Sequence, residues 1–176
     1  MADISQTDAA KTTELENHIK NPYGGEGFNH WVSGTEDHCN GFGVQGDGTF
    51  EGRSHAFVSS YNWCTLSQKV PIDPSRSHRV TVFTYASRRT DGGAYAQLRV
   101  NVENSRRVGV SRLLTYEIEC PYEPVNDTFC AYKKLGLEFS VEEGTTSIEV
   151  IIRGKDMVGW NGHYGARFGF TALYLS

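Results

Sequence analysis

The chain is 176 residues long, with 19 glycines but only 5 prolines, 12% aromatic and 22% charged residues, and a net charge of −4. That length suits one domain, and a domain of this size buries about 70% of its unfolded surface, enough for a core without staples. The composition excludes disorder and collagen, no apolar run reaches bilayer length, and the acidic balance argues against non-specific nucleic-acid binding.

Residues 1–20 are polar, and Asp8 to Lys20 reads either as one short helix or as a loose arm. These residues contain no apolar secretory stretch, so a cytoplasmic location is expected. In a reducing cytosol Cys39, Cys64, Cys120 and Cys130 are expected as free thiols, and none shows the C-x-x-C spacing of a zinc site. The Asn126-Asp127-Thr128 sequon is then expected to stay unmodified.

From Asn21 onward the recurring signal is alternation at period two. Val80 to Ala86 reads as a strand. Ala96, Leu98, Val100 and Val102 mark a second, and Leu114, Tyr116 and Ile118 a third. Leu135, Leu137, Phe139 and Val141 mark a fourth, and Ile148, Val150 and Ile152 a fifth. The last places Ala166, Phe168, Phe170, Ala172 and Tyr174 on one face. Turn signals fall at Asp47-Gly48, Asp91-Gly92-Gly93, Glu143-Gly144, Arg153-Gly154 and Gly162. Strands with one apolar and one mixed face predict two antiparallel sheets packed face to face: an all-β, jelly-roll-like β-sandwich.

Residues 76–112 carry eight arginines against Asp91 and Glu103, a local net charge of +6. Solvated strand edges explain such a segment, and an anionic partner is the sharper alternative. Each tryptophan lies among turn residues, Trp31 after Asn21 to Gly27, Trp63 in Ser59 to Cys64, and Trp160 in Asp156 to Arg167. A loop aromatic beside carboxylates and amides can stack on a pyranose while its neighbours bond the hydroxyls. The structural alternative is that each ring plugs one end of the core. His163 and the His38-Cys39 pair lack the partners that general-base or metal chemistry needs. There is no P-loop, no G-x-G-x-x-G and no readable carboxylate pair, so neither catalysis, a cofactor nor a metal is expected.

Four segments, in order, resemble the F-box-associated domain family. They are Asn21-Pro22-x-Gly24-x-Glu26-Gly27 with Trp31, then Phe57-x-Ser59-Ser60-Tyr61-x-Trp63-Cys64 with Gln68, then Arg89-x-Asp91-x-Gly93, and finally Trp160-x-Gly162-x-x-Gly165-Ala166-Arg167. The resemblance covers residues 18–176 and leaves 1–17 as a polar, flexible or helical arm. It implies a galactose-binding-like sandwich of antiparallel strands and a non-enzymatic module that binds N-glycans or glycoproteins. In that family such a module selects substrates for SCF ubiquitin ligases. It implies that Trp160 and Tyr61 stack on the sugar, and that Asp91 and Asn161 bond its hydroxyl or acetamido groups.

Two positions depart from the pattern: Gly159 stands where the family has tyrosine, and Asn161 where it has lysine. They favour the alternative, a protein-interaction domain like that of the nonspecific cytotoxic cell receptor group, working through sandwich-end loops without sugar. A helical F-box does not fit in the residues before Asn21, so none is expected within this chain.

Overall fold

The computed structural model describes residues 15–23, 26–35, 42–58, 62–90, 94–104, 114–125, 130–156 and 165–176, with backbone alone at 35, 44–49 and 114–116. Ten strands form two five-stranded antiparallel sheets. In chain order they are β1 (Val32–Thr35), β2 (Phe42–Phe50), β3 (Arg53–Val58), β4 (Cys64–Pro71) and β5 (His78–Arg88). They continue with β6 (Ala94–Asn104), β7 (Leu114–Glu119), β8 (Lys133–Val141), β9 (Thr145–Asp156) and β10 (Ala166–Leu175). One sheet has the order β1-β4-β9-β6-β7 and the other β2-β3-β10-β5-β8. The fold is an antiparallel β-sandwich, as the alternation predicts, with no helix among the described residues.

Strands adjacent in the sheets but distant in sequence are held in register by their inward faces, because a slip of one residue would expose every core side chain. Ala96, Leu98, Val100 and Val102 on β6 face Gly154, Ile152, Val150 and Ile148 on β9 across the ladder. Most of this inner row is 3% exposed or less. From the second sheet, Val58, Val80, Val82, Leu135, Phe168 and Leu173 complete the core.

Three local expectations change. The Asp47-Gly48 turn signal lies inside β2, and the chain reverses at Glu51-Gly52, where both residues have positive φ (48° and 71°). The Arg153-Gly154 signal lies inside β9. A Cβ at Gly154 would sit 2.9 Å from that of Ala166 and 3.0 Å from Val58 Cγ2, both in the opposite sheet, so this glycine serves close packing rather than a turn. The single face expected for β10 is split by a register shift between Phe168 and Thr171. Ala166 and Phe168 point inward before it, and Thr171 and Leu173 after it. Phe170 and Tyr174 turn outward against Phe83, with ring centroids 5.8 and 6.1 Å away.

Several motif residues prove architectural. The Asn21 side chain donates to Gly27 O at 3.0 Å and accepts from Glu26 N at 3.3 Å, closing its own turn. Gln68, 7% exposed, clips the chain at Lys20 by donating to its carbonyl at 3.1 Å and accepting from its amide at 2.7 Å. Trp31 packs against the core and donates from Nε1 to Asn21 O at 3.2 Å.

Gly154→Val should cost about 1–3 kcal/mol, since neither Ala166 nor Val58 has room to retreat. Gly136→Ala, where the nearest atom to a new Cβ is 3.6 Å away, should be neutral or gain up to about 1 kcal/mol. Denaturant unfolding of the two variants measures both signs.

Candidate functional site

Pairing registers bring several strand ends to one end of the sandwich. Cys64 pairs with Gly154, Ala94 with Asp156, and Ala166 with both Val58 and Arg88. Gly165 N donates to Val58 O at 2.9 Å, and Arg89 N donates to Gly165 O at 3.1 Å, tying three strands together. The segments carrying Tyr61, Asp91 and the Trp160-Asn161 pair connect β3 to β4, β5 to β6 and β9 to β10, so all three are anchored here. Tyr61, Asp91, Trp160 and Asn161 themselves lie outside the described residues, as do His38, Cys39, Gly159, His163 and the Asn126 sequon.

The described side chains at this end form an alternating series of cations and rings. Arg153 Cζ lies 4.0 Å from the Trp63 ring centroid. Lys155 Nζ lies 5.0 Å from the Trp63 centroid and 4.7 Å from that of Tyr95. Arg88 Cζ lies 6.0 Å from the Tyr95 centroid and 5.2 Å from that of Tyr122. The two rings flanking Lys155 are themselves 6.1 Å apart. The cause is strand parity. Odd-numbered residues of β6 and β9 point away from the core, and Tyr95 pairs directly with Lys155, and Gln97 with Arg153. Each cation–ring contact of this kind contributes about 0.5–2 kcal/mol, depending on its exposure.

Acids buttress the series from β7. Arg88 Nη1 donates to Glu119 at 3.4 Å, and Gln97 Nε2 donates to the other oxygen of that carboxylate at 3.2 Å. Arg99 Nη2 lies 2.7 Å from Glu117, and Arg153 Nη1 donates to Gln97 Oε1 at 2.9 Å. Arg76 pairs with Asp73 and Arg79 with Glu138. The described part of the basic 76–112 segment is thus largely matched by acids from elsewhere in the fold.

At the opposite end of the same face, a shallow depression lies among Lys69, Pro71, Glu103, Thr146 and Ser147. Hydrogen bonds from Lys69 and Ser147 hold the Glu103 carboxyl below its usual range, so its charges satisfy one another. No cluster of three or more metal-ligating side chains occurs among the described residues. Cys64, Cys120 and Cys130 are buried thiols that form no disulfide.

Sequence reasoning singled out Trp63, and Arg88 as part of the basic segment, but missed Tyr95, Arg153 and Lys155 as site residues. Their signal was the outward set of the alternation: an aromatic and two cations at positions that the strand period places side by side.

No family model matches this chain, and no curated protein sequence matches it. Solved structures do resemble it. "Family 16 Carbohydrate Binding Module-2" superimposes with a TM-score of 0.56 at 13% identity, covering 91% of this chain and 99% of that one. TmCBM61, solved in complex with β-1,4-galactotriose, gives 0.53 at 18% identity, covering 92% of this chain and 98% of that one. The enzymatically active domain of tailspike protein 4 from bacteriophage CBA120 gives 0.56 at 14% identity. The match covers 91% of this chain but only 21% of that one. The fold shared with these structures is the jelly-roll β-sandwich.

Burial pushes the Cys120 thiol up from 9.0 to about 11. A group whose pKa rises on folding stabilises the native state below its unfolded pKa, and that contribution is lost as pH climbs through the folded value. Stability should therefore decline between about pH 9 and pH 11, and Cys120→Ala should flatten that part of the decline. Denaturant unfolding across this range compares the two proteins.

Proposed function

We propose that the protein is a non-catalytic glycan-binding module of the F-box-associated type, with its binding site at the sandwich end that carries the ring-and-cation series. That series is the observation that carries the reading. It presents aromatic surface and hydrogen-bond donors together, the combination with which proteins hold sugars. The segments bearing Trp160, Asn161, Asp91 and Tyr61 are anchored at the same end. Likeness in fold to carbohydrate-binding modules supports the same class of ligand.

On this reading Trp160 and Tyr61 supply stacking surface, and Asp91 and Asn161 bond hydroxyl or acetamido groups. The resemblance to substrate-selecting modules of ubiquitin ligases extends the proposal to N-glycoproteins met in the cytosol. A protein-interaction module is the second reading, favoured by Gly159 and Asn161. With Gly159, one aromatic wall is absent, and with Asn161 the cation of the family pattern is absent too.

Titration with chitobiose and β-1,4-galactotriose, followed by NMR, tests the proposal. Saturable shifts should appear for Trp63 and Tyr95, and Trp160→Ala should weaken binding about tenfold, the loss of one stacking partner. A partner retained in pull-downs after glycosidase treatment, with no shift at millimolar sugar, would establish the second reading instead.

A further inference from the structure

We propose that the saccharide held at this end is acidic, and that its carboxylate or sulfate is received by Lys155 between the Trp63 and Tyr95 rings. This rests on the glycan-binding reading above and names the class of sugar. The argument begins with what the cations already have. Glu119 is engaged by Arg88 and Gln97, and Glu117 by Arg99. Lys155 has the two rings as neighbours and no carboxylate partner among the described residues. A ring quadrupole attracts an ammonium but does not replace its hydrogen-bond acceptors, so the three Nζ donors still have bonds to offer.

The rings point the same way. A neutral pyranose is held best by bare aromatic faces for its C–H groups. Trp63 is instead approached by two cations, at 4.0 and 5.0 Å, and Tyr95 by two, at 4.7 and 6.0 Å. An anion on a sugar ring meets both features at once, pairing with the ammonium while the ring lies along the aromatic edges. A nucleic acid also combines anions with stacking surfaces. It is disfavoured because the partly exposed Glu117 and Glu119 flank the cations and would repel successive phosphates.

The test is calorimetric titration of the full chain with β-1,4-galactotriose, trigalacturonate, a sulfated galactose trisaccharide and an oligodeoxythymidylate, at about 50 and about 300 mM NaCl. One of the two acidic sugars should bind about tenfold or more tightly than the neutral one. That advantage should shrink several-fold at the higher salt, and the tighter acid identifies the anion. Lys155→Gln should abolish the acidic advantage. Lys155→Arg should keep it, and so should Lys69→Gln at the far end of the face. Equal, salt-insensitive binding of neutral and acidic sugars would overturn this inference and leave the glycan-binding reading standing. Tighter binding of the oligonucleotide would overturn it too. Binding to none of the saccharides would remove both.

Discussion

At the end of the sandwich where Gly154 meets Ala166 and Val58, one missing methyl group lets two sheets close. A side chain there would stand within 3.0 Å of both neighbours. Close approach at this level fixes where β9 and β10 end and begin, and so where the chain between them is anchored. The backbone bonds from Gly165 to Val58 and from Arg89 to Gly165 then lock three strands into one rim. Gly165 repeats the constraint, since a Cβ there would fall 2.3 Å from the Asp156 carboxyl carbon. The rim is therefore set by tight backbone packing, and the ring-and-cation side chains are mounted on it rather than shaping it.

Strand parity connects this packing to chemistry. The apolar residues that hold β6 against β9 in register leave the intervening residues no choice of face. Tyr95 lies beside Lys155 and Gln97 beside Arg153 because Ala96 and Leu98 must be buried. The cations keep their places because the β7 acids pair with some of them, which limits repulsion among like charges. Lys155 is left as a charge held by rings on either side.

The sequence was legible where burial imposes period two on apolar residues. Strands β5 to β10 were all recognisable, for Val80, Leu98, Ile118, Leu135, Val150 and Phe168 each belong to such a stripe. Of the first four strands, which all escaped notice, three did so for a physical reason. β1 is Val-Ser-Gly-Thr and β2 contains three glycines, so neither carries a hydrophobic alternation, and β4 mixes its pattern by placing Gln68 inward to clip the chain at Lys20. Glycine misled twice. In Asp47-Gly48 and Arg153-Gly154 the dipeptide looks like a turn, but the reason for the second glycine is a neighbouring sheet, which no local pattern reveals. The β10 shift was invisible because its last residues are apolar at both parities, Ala172 and Tyr174 on one and Leu173 and Leu175 on the other, so period two does not mark the change of face. Of the site, aromatic and polar loop residues could be nominated one at a time. The pairing of Tyr95 with Lys155 needed the ladder between residues 60 positions apart.

The clip at Gln68 also bears on how the described chain enters and leaves the sandwich. Pro22 O accepts from Thr171 N, and His18 N donates to Leu173 O, so the incoming chain runs along β10 toward the rim. Ser176 exchanges two backbone bonds with Arg79 near the same far end, where Leu175 pairs with Val80. The last described residue thus lies at the end of the sandwich opposite the ring-and-cation series. A label or tether attached at Ser176 would sit there, well away from Trp63, Tyr95 and Lys155.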